Sequence, residues 1–362
     1  MIRHYFSLSL VLLNLNGYCK GSLFPPTNSS WFDIGPVVVP TEPWEENAVQ
    51  EPQVYWDVYN QEFRMYYRGG WGNQSVAVAT SKTVITWKKY ENNPIYGGGG
   101  SNVSGLNEGG QPYVFREDVN KYWLYATAPG RMNIAVSEDG YSWKTQNSTI
   151  KLPEGCTLWG NRAVWTEQHD VTNKQNVATK ITTYYMLQET GWTDGVWKIF
   201  LYTSNNSLSW QIGNHGNALD SLQIGLGDGM FGGPSLANVN GTLSPKNESG
   251  IYNLWYHAAP AGNSPAVLPT DVYHAASKDL ITWKISLCES PVLKHSGKGS
   301  EYDQTADPSP IITPDGGAFL YYDGDNNVDG KASIGMAIAK TGPGTLEGAR
   351  EFSETSVTIE IL

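Results

Sequence analysis

Charged residues are scarce in this sequence, and basic ones are the scarcer kind. Charged side chains make up 16% of the 362 residues and leave a formal net charge of -11. No stripe of Lys and Arg is visible along the chain, and a negative protein repels a phosphate backbone. We therefore do not expect nucleic acid as a partner.

Long amphipathic patterns are missing as well. No segment is long or periodic enough to predict an amphipathic helix. The chain is instead rich in turn-forming and aromatic residues, with 39 Gly, 20 Pro, 14 Trp and 21 Tyr. Aromatic side chains suit half-buried pleated surfaces, and Gly and Pro suit tight turns, so an all-β fold is predicted. Flat aromatic rings also suit neutral polyhydroxylated ligands.

Cysteine is rare, and no known metal motif is present. Cys156 and Cys288 could pair in an oxidising compartment, or lie too far apart to do so, and we do not predict the bridge. His257 and His274 show no spacing typical of a zinc site. We predict no metal and no cofactor.

The N-terminus has the pattern of a secretory signal. Arg3 and His4 precede a short apolar run, 6–15, which is followed by small or polar residues. This pattern predicts a signal peptide over 1–21 and a secreted, extracellular protein, and the run is too short to span a bilayer. The alternative is a buried first strand. Glycosylation sequons agree with export; they begin at Asn28, Asn73, Asn102, Asn147, Asn205, Asn240 and Asn247.

One motif recurs four times along the chain. It has Ser at its first position, Ser or Thr at its sixth and Trp at its seventh, and it occupies 81–87, 137–143, 204–210 and 277–283. An aromatic-rich run precedes each copy and a fifth run follows them, at 63–69, 122–128, 182–188, 252–258 and 318–324. Shorter apolar segments lie further upstream. Four antiparallel strands repeated five times predict a five-bladed β-propeller in which the Trp fills the wedge between neighbouring blades.

The fifth repeat lacks its Trp. The missing piece resembles the segment around Trp31, near the start of the mature chain. We expect this N-terminal strand to complete the last blade and close the ring, because an open ring would expose two sheet edges. The prediction is thus a single propeller domain over 22–362, in which 344–362 form an extra strand or a partly ordered end.

Candidate catalytic groups come from the starts of the innermost strands, which line the channel of a propeller. We take the five equivalent positions to be Glu51, Gln111, Asn161, Gly233 and Asp307. Glu51 and Asp307 belong to blades that become neighbours when the ring closes. Two acids in a shared funnel mark function, although they could instead cap strand ends. Substrate contacts are predicted for Gln111, Asn161, Arg68, Trp71, Trp159, Arg162 and His257.

The blade motifs and the stretch around Asp307 resemble the five-bladed propeller glycoside hydrolases of families 43 and 32, such as arabinanases and invertases. The resemblance covers roughly 30–343. It implies an acid in blade I as base or nucleophile, an orienting acid in blade II and a proton-donating Glu in blade III. Glu51 matches the first position, but Gln111 and Asn161 depart from the other two. Glu108 and Glu154 are the nearby alternatives, and we include Glu154 as a candidate catalytic acid.

The resemblance implies a glycoside hydrolase that cleaves a furanoside- or pentose-containing glycan with paired carboxyl groups. The alternative is a carbohydrate-binding propeller that has lost the acids of blades II and III. In either case an oligo- or polysaccharide is the expected partner. We expect a monomer that does not engage a membrane.

Overall fold

A computed structural model gives the fold of the chain. It describes residues 31–72, 74–97, 109–128, 131–152, 154–172, 178–192, 197–213, 230–239, 242–243, 245–246, 250–259, 269–285, 291–297, 304–312, 318–326 and 330–339. The predicted signal peptide, Cys288 and the C-terminal tail lie outside these ranges. Within them, no helix is long and apolar enough to cross a membrane.

The described chain is almost entirely strand, with one 3-10 helix at Pro43–Glu45. In chain order the strands are β1 (Trp31–Val38), β2 (Val49–Asp57), β3 (Glu62–Gly69), β4 (Ser75–Ser81), β5 (Lys88–Lys89), β6 (Tyr96–Gly97), β7 (Gly110–Asp118), β8 (Lys121–Ala128), β9 (Arg131–Ser137), β10 (Lys144–Gln146), β11 (Thr149–Ile150), β12 (Cys156–Thr172), β13 (Ala178–Trp192), β14 (Trp197–Ser204), β15 (Ser209–Ile212), β16 (Met230–Ser235), β17 (Asn238–Val239), β18 (Thr242–Leu243), β19 (Tyr252–Ala259), β20 (Asp271–Ser277), β21 (Trp283–Ile285), β22 (Gln304–Ile312), β23 (Ala318–Asn326) and β24 (Lys331–Ala339).

These strands form five sheets, one for each blade of a five-bladed β-propeller, so the predicted fold class is confirmed. From the channel outward, blade I is β2-β3-β4-β5, blade II is β7-β8-β9-β10, blade III is β12-β13-β14-β15, blade IV is β16-β19-β20-β21 and blade V is β22-β23-β24-β1. The four main strands of each blade pair antiparallel. The short strands β6, β11, β17 and β18 add to blade edges.

The N-terminal strand closes the ring as predicted. β1 pairs antiparallel with β24, with Trp31 opposite Ala339 and Val38 opposite Ile334. Trp31 is buried among residues of blades IV and V. Blade V, whose first three strands are the last strands described, is thus completed by β1, the first strand described.

The recurring Ser-to-Trp motif forms the turn between the third and fourth strands of a blade. The Ser137 hydroxyl accepts the backbone N–H groups of Asp139 and Gly140 at 3.2 and 2.8 Å. The fourth residue of every copy has a positive φ of 63–79°; these residues are Val84, Gly140, Ser207 and Leu280. In three copies the Trp indole N–H donates to the carbonyl of that fourth residue at 3.0–3.3 Å; the donors are Trp87, Trp210 and Trp283.

The Trp of the motif also joins two blades, as expected from the sequence. Its ring packs edge-on against a Tyr on the second strand of the preceding blade, with centroids 5.7–6.3 Å apart; the pairs are Trp87–Tyr321, Trp143–Tyr66 and Trp210–Tyr125. The Tyr321 and Tyr66 hydroxyls donate to the carbonyls of Val84 and Gly140, respectively. We call this arrangement of turn, Trp and Tyr the seam.

A second repeated feature lies on the innermost strands. Each carries a β-bulge in its pairing with the second strand, between Gln50 and Gln53, Gly110 and Tyr113, Leu158 and Arg162, Gly232 and Ser235, and Ala306 and Ser309. A bulge bends the strand and redirects a side chain. The bulges lie near the starts of these strands, and we call that face of the propeller the site face.

Candidate active site

The bulges place one residue of each blade at the mouth of the channel in the left-handed region. Its φ lies between 47° and 65° in all five blades; the residues, called the bulge ring, are Glu51, Gln111, Gly160, Gly233 and Asp307. Three of the five are not glycine. A left-handed backbone conformation at a residue other than glycine costs about 1–3 kcal/mol, and such residues are concentrated at functional sites.

The bulge ring corrects one predicted equivalence. The sequence comparison aligned Asn161 with Glu51 and Asp307, but the positive φ belongs to Gly160. Asn161 therefore aligns with the prolines that follow the bulge residue in the other blades, such as Pro52 and Pro308. The one-residue error arose because blade III lacks that proline and so lacks the mark that locates its bulge.

A second ring of residues faces the first from the second strands. In four blades it consists of the residue paired with the position just before the bulge: Arg68 opposite Gln50, Thr127 opposite Gly110, His257 opposite Gly232 and Asp323 opposite Ala306. In blade III the same place falls on Glu189, between Gln188 and Thr190. We call Arg68, Thr127, Glu189, His257 and Asp323 the second-strand ring.

Sequence reasoning missed Glu189, although a signal for it was present. The aromatic runs at 63–69, 122–128, 252–258 and 318–324 each carry the ring residue in sixth place. The run predicted in blade III is 182–188. Shifting it by two residues, to 184–190, puts Glu189 in sixth place.

Glu51 is buried at 5% exposure and is held by Arg68. Arg68 Nε lies 3.3 Å from Glu51 Oε1, and the Arg68 guanidinium also donates to the Gln50 side chain. Glu51 Oε2 has no hydrogen-bond partner in the described part of the chain. Burial raises the pKa of Glu51 to about 7 despite the attraction of Arg68, and the charges of Asp307 and Glu189 add to the rise. Glu51 therefore keeps its proton in a large fraction of molecules near neutral pH.

Asp307 has the opposite environment. Nδ1 of His257 lies 3.3 Å from Asp307 Oδ1 and 3.1 Å from the Asp307 backbone nitrogen. Burial alone would raise the pKa of Asp307, but His257 and the Asn161 side chain lower it below its usual value. Burial has the opposite effect on His257 and lowers its pKa. The charges of Asp307 and Glu189 outweigh that effect and leave the pKa of His257 above its usual value. Each side chain thus favours the charged form of the other, His257 as the imidazolium and Asp307 as the carboxylate.

Glu189 is also deeply buried, at 2% exposure. Its Oε2 accepts the backbone N–H of Gly233 at 2.7 Å and, more weakly, that of Asn161 at 3.4 Å. A Cβ at Gly160 or Gly232 would overlap the Glu189 carboxyl group, so both glycines are required by this close approach. Burial raises the pKa of Glu189 to about 7, although His257 opposes the rise.

Arg162 holds the neighbouring blades together. Its side chain is 1% exposed and donates to the Gln188 side chain at 2.9 Å, the Gln111 carbonyl at 3.0 Å and the Gly160 carbonyl at 2.6 Å. Burial lowers its pKa to about 10. Arg162 therefore positions the bulge residues of blades II and III, while its predicted contact with substrate stays a prediction.

The other predicted residues are more scattered. Trp71 is 39% exposed, with the Arg68 guanidinium 5.9 Å from the centre of its ring. Glu154 lies on an exposed turn ahead of β12 and does not line the described channel. The backbone of Trp159 belongs to β12, but its side chain lies outside the described part of the structure. The substrate roles of Trp71 and Trp159 and the catalytic role of Glu154 stay predictions.

The innermost strands line a partly open cavity that is about 20 Å³ in volume, enough for one water molecule. Glu51, Asn161, Arg162, Gly233 and Asp307 are among its lining residues. Glu51 and Asp307, which were paired from the sequence, therefore meet at one cavity. The site brings together a carboxyl group whose pKa is raised and one whose pKa is lowered, the usual arrangement for general acid–base chemistry.

Three of these side chains also have the geometry to hold a metal ion. One ligand atom from each of Glu189, His257 and Asp307 lies within 4.8 Å of the others. Imidazole and carboxylate ligands together suit several divalent metals. The sequence does not predict this group, because its members come from three blades and share no short-range spacing.

Comparison with known proteins yields no matching family model and no matching curated protein. Solved structures do match. One belongs to the GH130 family of mannoside phosphorylases, which is described as containing glycoside hydrolases that target β-1,2 mannosidic linkages in Candida mannan. That structure matches with a TM-score of 0.59 and 16% identity, and the match covers 90% of this chain and 99% of that one.

Two further structures are similar. The catalytic domain of a Coprinopsis cinerea GH62 α-L-arabinofuranosidase has a TM-score of 0.56 and 10% identity, over 87% of this chain and 98% of that one. A putative glycoside hydrolase from Bacteroides ovatus has a TM-score of 0.58 and 17% identity, over 86% and 96%. At these identities the likeness concerns the fold: this chain has the five-bladed propeller fold that solved glycoside hydrolases use.

Proposed function

We propose that the chain is a secreted glycoside hydrolase that cleaves a furanoside- or pentose-containing glycan. The observation that carries the proposal is the meeting of Glu51 and Asp307 at one buried cavity with pKa values shifted in opposite directions. Glycoside cleavage requires two carboxyl groups, one that donates a proton and one that is ionised. The fold shared with solved glycoside hydrolases supports the same reading.

In the proposed reaction Glu51 is the general acid. Its pKa of about 7 leaves it protonated in a large fraction of molecules near neutral pH, and its free Oε2 can donate to the glycosidic oxygen as the C–O bond breaks. The ionised Asp307 stabilises the positive charge that develops at the anomeric carbon. A water molecule then forms the new bond to that carbon and gives up a proton to the Glu51 carboxylate, which restores the acid. This assignment differs from the base or nucleophile role that the family resemblance implies for the blade I acid.

Glu189 does not line the cavity, and we assign it a positioning role. Its charge and its contacts with the backbone of Gly233 and Asn161 set the position of the neighbouring bulge residues. Trp71 lies beside Arg68 on the site face and is exposed enough to stack on a sugar ring.

The test is hydrolysis by Glu51→Gln and Asp307→Asn of aryl pentosides with good and poor leaving groups, together with arabinan and xylan oligosaccharides. A general acid contributes about 10²–10⁴-fold, and it is needed least when the leaving group is good. We therefore expect Glu51→Gln to lose far more activity on poor leaving groups than on good ones. Asp307→Asn should lose activity on all of them.

Glu154→Gln is the matched control, because Glu154 is an exposed acid that does not line the described channel. It should retain wild-type turnover, and a loss would support the catalytic role predicted for Glu154 from the sequence. Equal losses by Glu51→Gln on every leaving group would assign Glu51 the base or nucleophile role instead. Calorimetric binding of the same oligosaccharides without any turnover would support the carbohydrate-binding alternative and refute the hydrolase.

A further inference from the structure

Two of the seven sequons fall within the described structure, and the Asn of each lies in a connection between strands. Asn147 follows β10 directly, and Asn205 follows the last residue of β14. Both side chains are exposed.

The turn that contains Asn205 is one of four copies of the Ser-to-Trp motif, and the structure describes all four. Its second position is exposed in every copy of the Ser-to-Trp motif and holds a charged residue in the other three: Lys82, Glu138 and Lys278. Asn205 takes that outward position in blade III. The next residue, Asn206, is engaged instead, since its side-chain oxygen accepts the backbone N–H groups of Leu208 and Ser209 at 3.0 and 2.8 Å.

The two sequons lie on one patch of surface. The chain crosses from blade II to blade III immediately after Asn147, where Thr149 pairs with Ser209 in parallel. The backbone N–H of Thr149 donates to the Leu208 carbonyl at 2.9 Å, and Leu208 lies three residues after Asn205. The outer surface of the blade II–III junction therefore carries both side chains.

This patch faces away from the candidate active site. The innermost strand of each blade begins at the site face, and the third strand runs parallel to it, so the third strand ends at the opposite face. The turn after β14 lies at that end. Bulky groups attached there would leave the channel mouth open.

We propose that Asn147 and Asn205 are N-glycosylated in a eukaryotic secretory pathway and form a two-glycan patch at the blade II–III junction. The amide nitrogen of Asn bonds to C1 of an oligosaccharide supplied by a polyprenyl-diphosphate donor. The C1–O bond of the donor breaks, and the polyprenyl diphosphate leaves with the amide proton. The inference rests on the proposed export of the chain.

The experiment is glycopeptide mapping of the full chain, expressed behind a host leader in a eukaryotic cell line and purified from the medium. Enzymatic release of N-glycans in ¹⁸O-labelled water marks each occupied Asn by its conversion to labelled Asp. We expect both sites to be marked in more than half of the molecules. The host leader makes the result independent of residues 1–21.

Variants at both sites provide the controls. Thr149→Val should remove the glycan at Asn147 while keeping a β-branched residue in the strand, and Thr149→Ser should keep it. Asn205→Gln should remove the other glycan and leave the buried Ser207 in place. Recovery of both peptides unmodified from folded secreted protein would overturn the proposal. Hydrolysis is a separate readout: an inactive protein with both glycans refutes the hydrolase and leaves this inference standing.

Discussion

The seams and the channel of this propeller differ in whether their side chains repeat from blade to blade. At the seams both backbone and side chains recur: the same turn, a Trp and a Tyr from the preceding blade appear at three junctions. In the channel the backbone recurs, with a bulge and a positive φ in all five blades, but the bulge ring holds four different residue types. The repeated side chains therefore stabilise the scaffold, and the unrepeated ones form the candidate active site.

This division predicts that seam and channel substitutions have separable effects. A seam substitution should lower stability and leave the reaction of the folded protein unchanged. A channel substitution should alter reactivity or pH dependence, and should lower stability only where it crowds the buried acids.

The largest effect is expected at a seam. Trp210 is 2% exposed and packs against Tyr125 of blade II, so Trp210→Ala should destabilise the protein by about 3–5 kcal/mol. Chemical denaturation measures this loss, and Ser209→Ala at the neighbouring exposed position is the control. A fall in kcat at a temperature where the variant is fully folded would contradict the separation of seam and channel.

Crowding Glu189 should give the next largest effect. Gly160→Ala adds a Cβ that overlaps the Glu189 carboxyl group at a φ of +65°, and we expect a loss of about 3 kcal/mol. Gly155 is the matched control, because it has a φ of +75° with no atom within 4 Å of its Cβ position. Gly155→Ala should cost about 1 kcal/mol, the strain of left-handed backbone alone. Equal losses in the two variants would show that the carboxyl group is not fixed in this place.

The contrast also explains what could be predicted from sequence. The seam follows from local chemistry, a Ser that caps a turn and a Trp that closes it, so four copies were recognisable and the missing fifth led to Trp31. The pairing of Glu51 with Asp307 followed from their equivalent places in neighbouring blades.

The register of blade III did not follow. Strand register is set by hydrogen bonds across the sheet, and one residue of slip moves a side chain to the other face. Blade III has no proline after its bulge residue, so nothing in the sequence distinguishes Gly160 from Asn161 as the bulge residue. Glu189 was missed because the predicted aromatic run was centred on Tyr184 and Tyr185, which placed the run two residues too early in the sequence.

The buried acids should give stability a pH dependence that the seams lack. The folded-state pKa of Glu189 is raised to about 7 from 4.5, so the native state binds more protons than the unfolded state between these values. The free energy of unfolding should therefore fall as pH rises from 4.5 to 7. Glu189→Gln should flatten that decline by up to about 1.4 kcal/mol per pH unit. Denaturation at several pH values measures the slope, and an unchanged slope would place the titration elsewhere.

The pH dependence of hydrolysis tests the same acids. Because Glu51 must be protonated to donate, kcat/KM should decrease as pH rises through about 7. Glu189→Gln removes a negative charge that raises the pKa of Glu51, so the falling limb should move to lower pH. Initial rates across pH 5–9, roughly the window in which such a group titrates, measure this shift. A limb that moves to higher pH would contradict the coupling.

The smallest effect tests whether the junction that closes the ring is equal to the others. The Tyr321 hydroxyl donates to the Val84 carbonyl between blades V and I at 2.6 Å, and the Tyr66 hydroxyl donates to the Gly140 carbonyl between blades I and II at 3.1 Å. Replacing either Tyr by Phe keeps the ring and leaves one buried carbonyl without this donor, at a cost of about 1 kcal/mol. The Val84 carbonyl keeps a second donor, the Trp87 indole N–H at 3.0 Å, so Tyr321→Phe should shift the unfolding midpoint somewhat less than Tyr66→Phe if the junction that closes the ring is as stable as the rest. No shift at all for Tyr321→Phe would mean that blades V and I separate before the rest of the propeller unfolds, since a contact that is already broken in the unfolding protein no longer contributes to its stability.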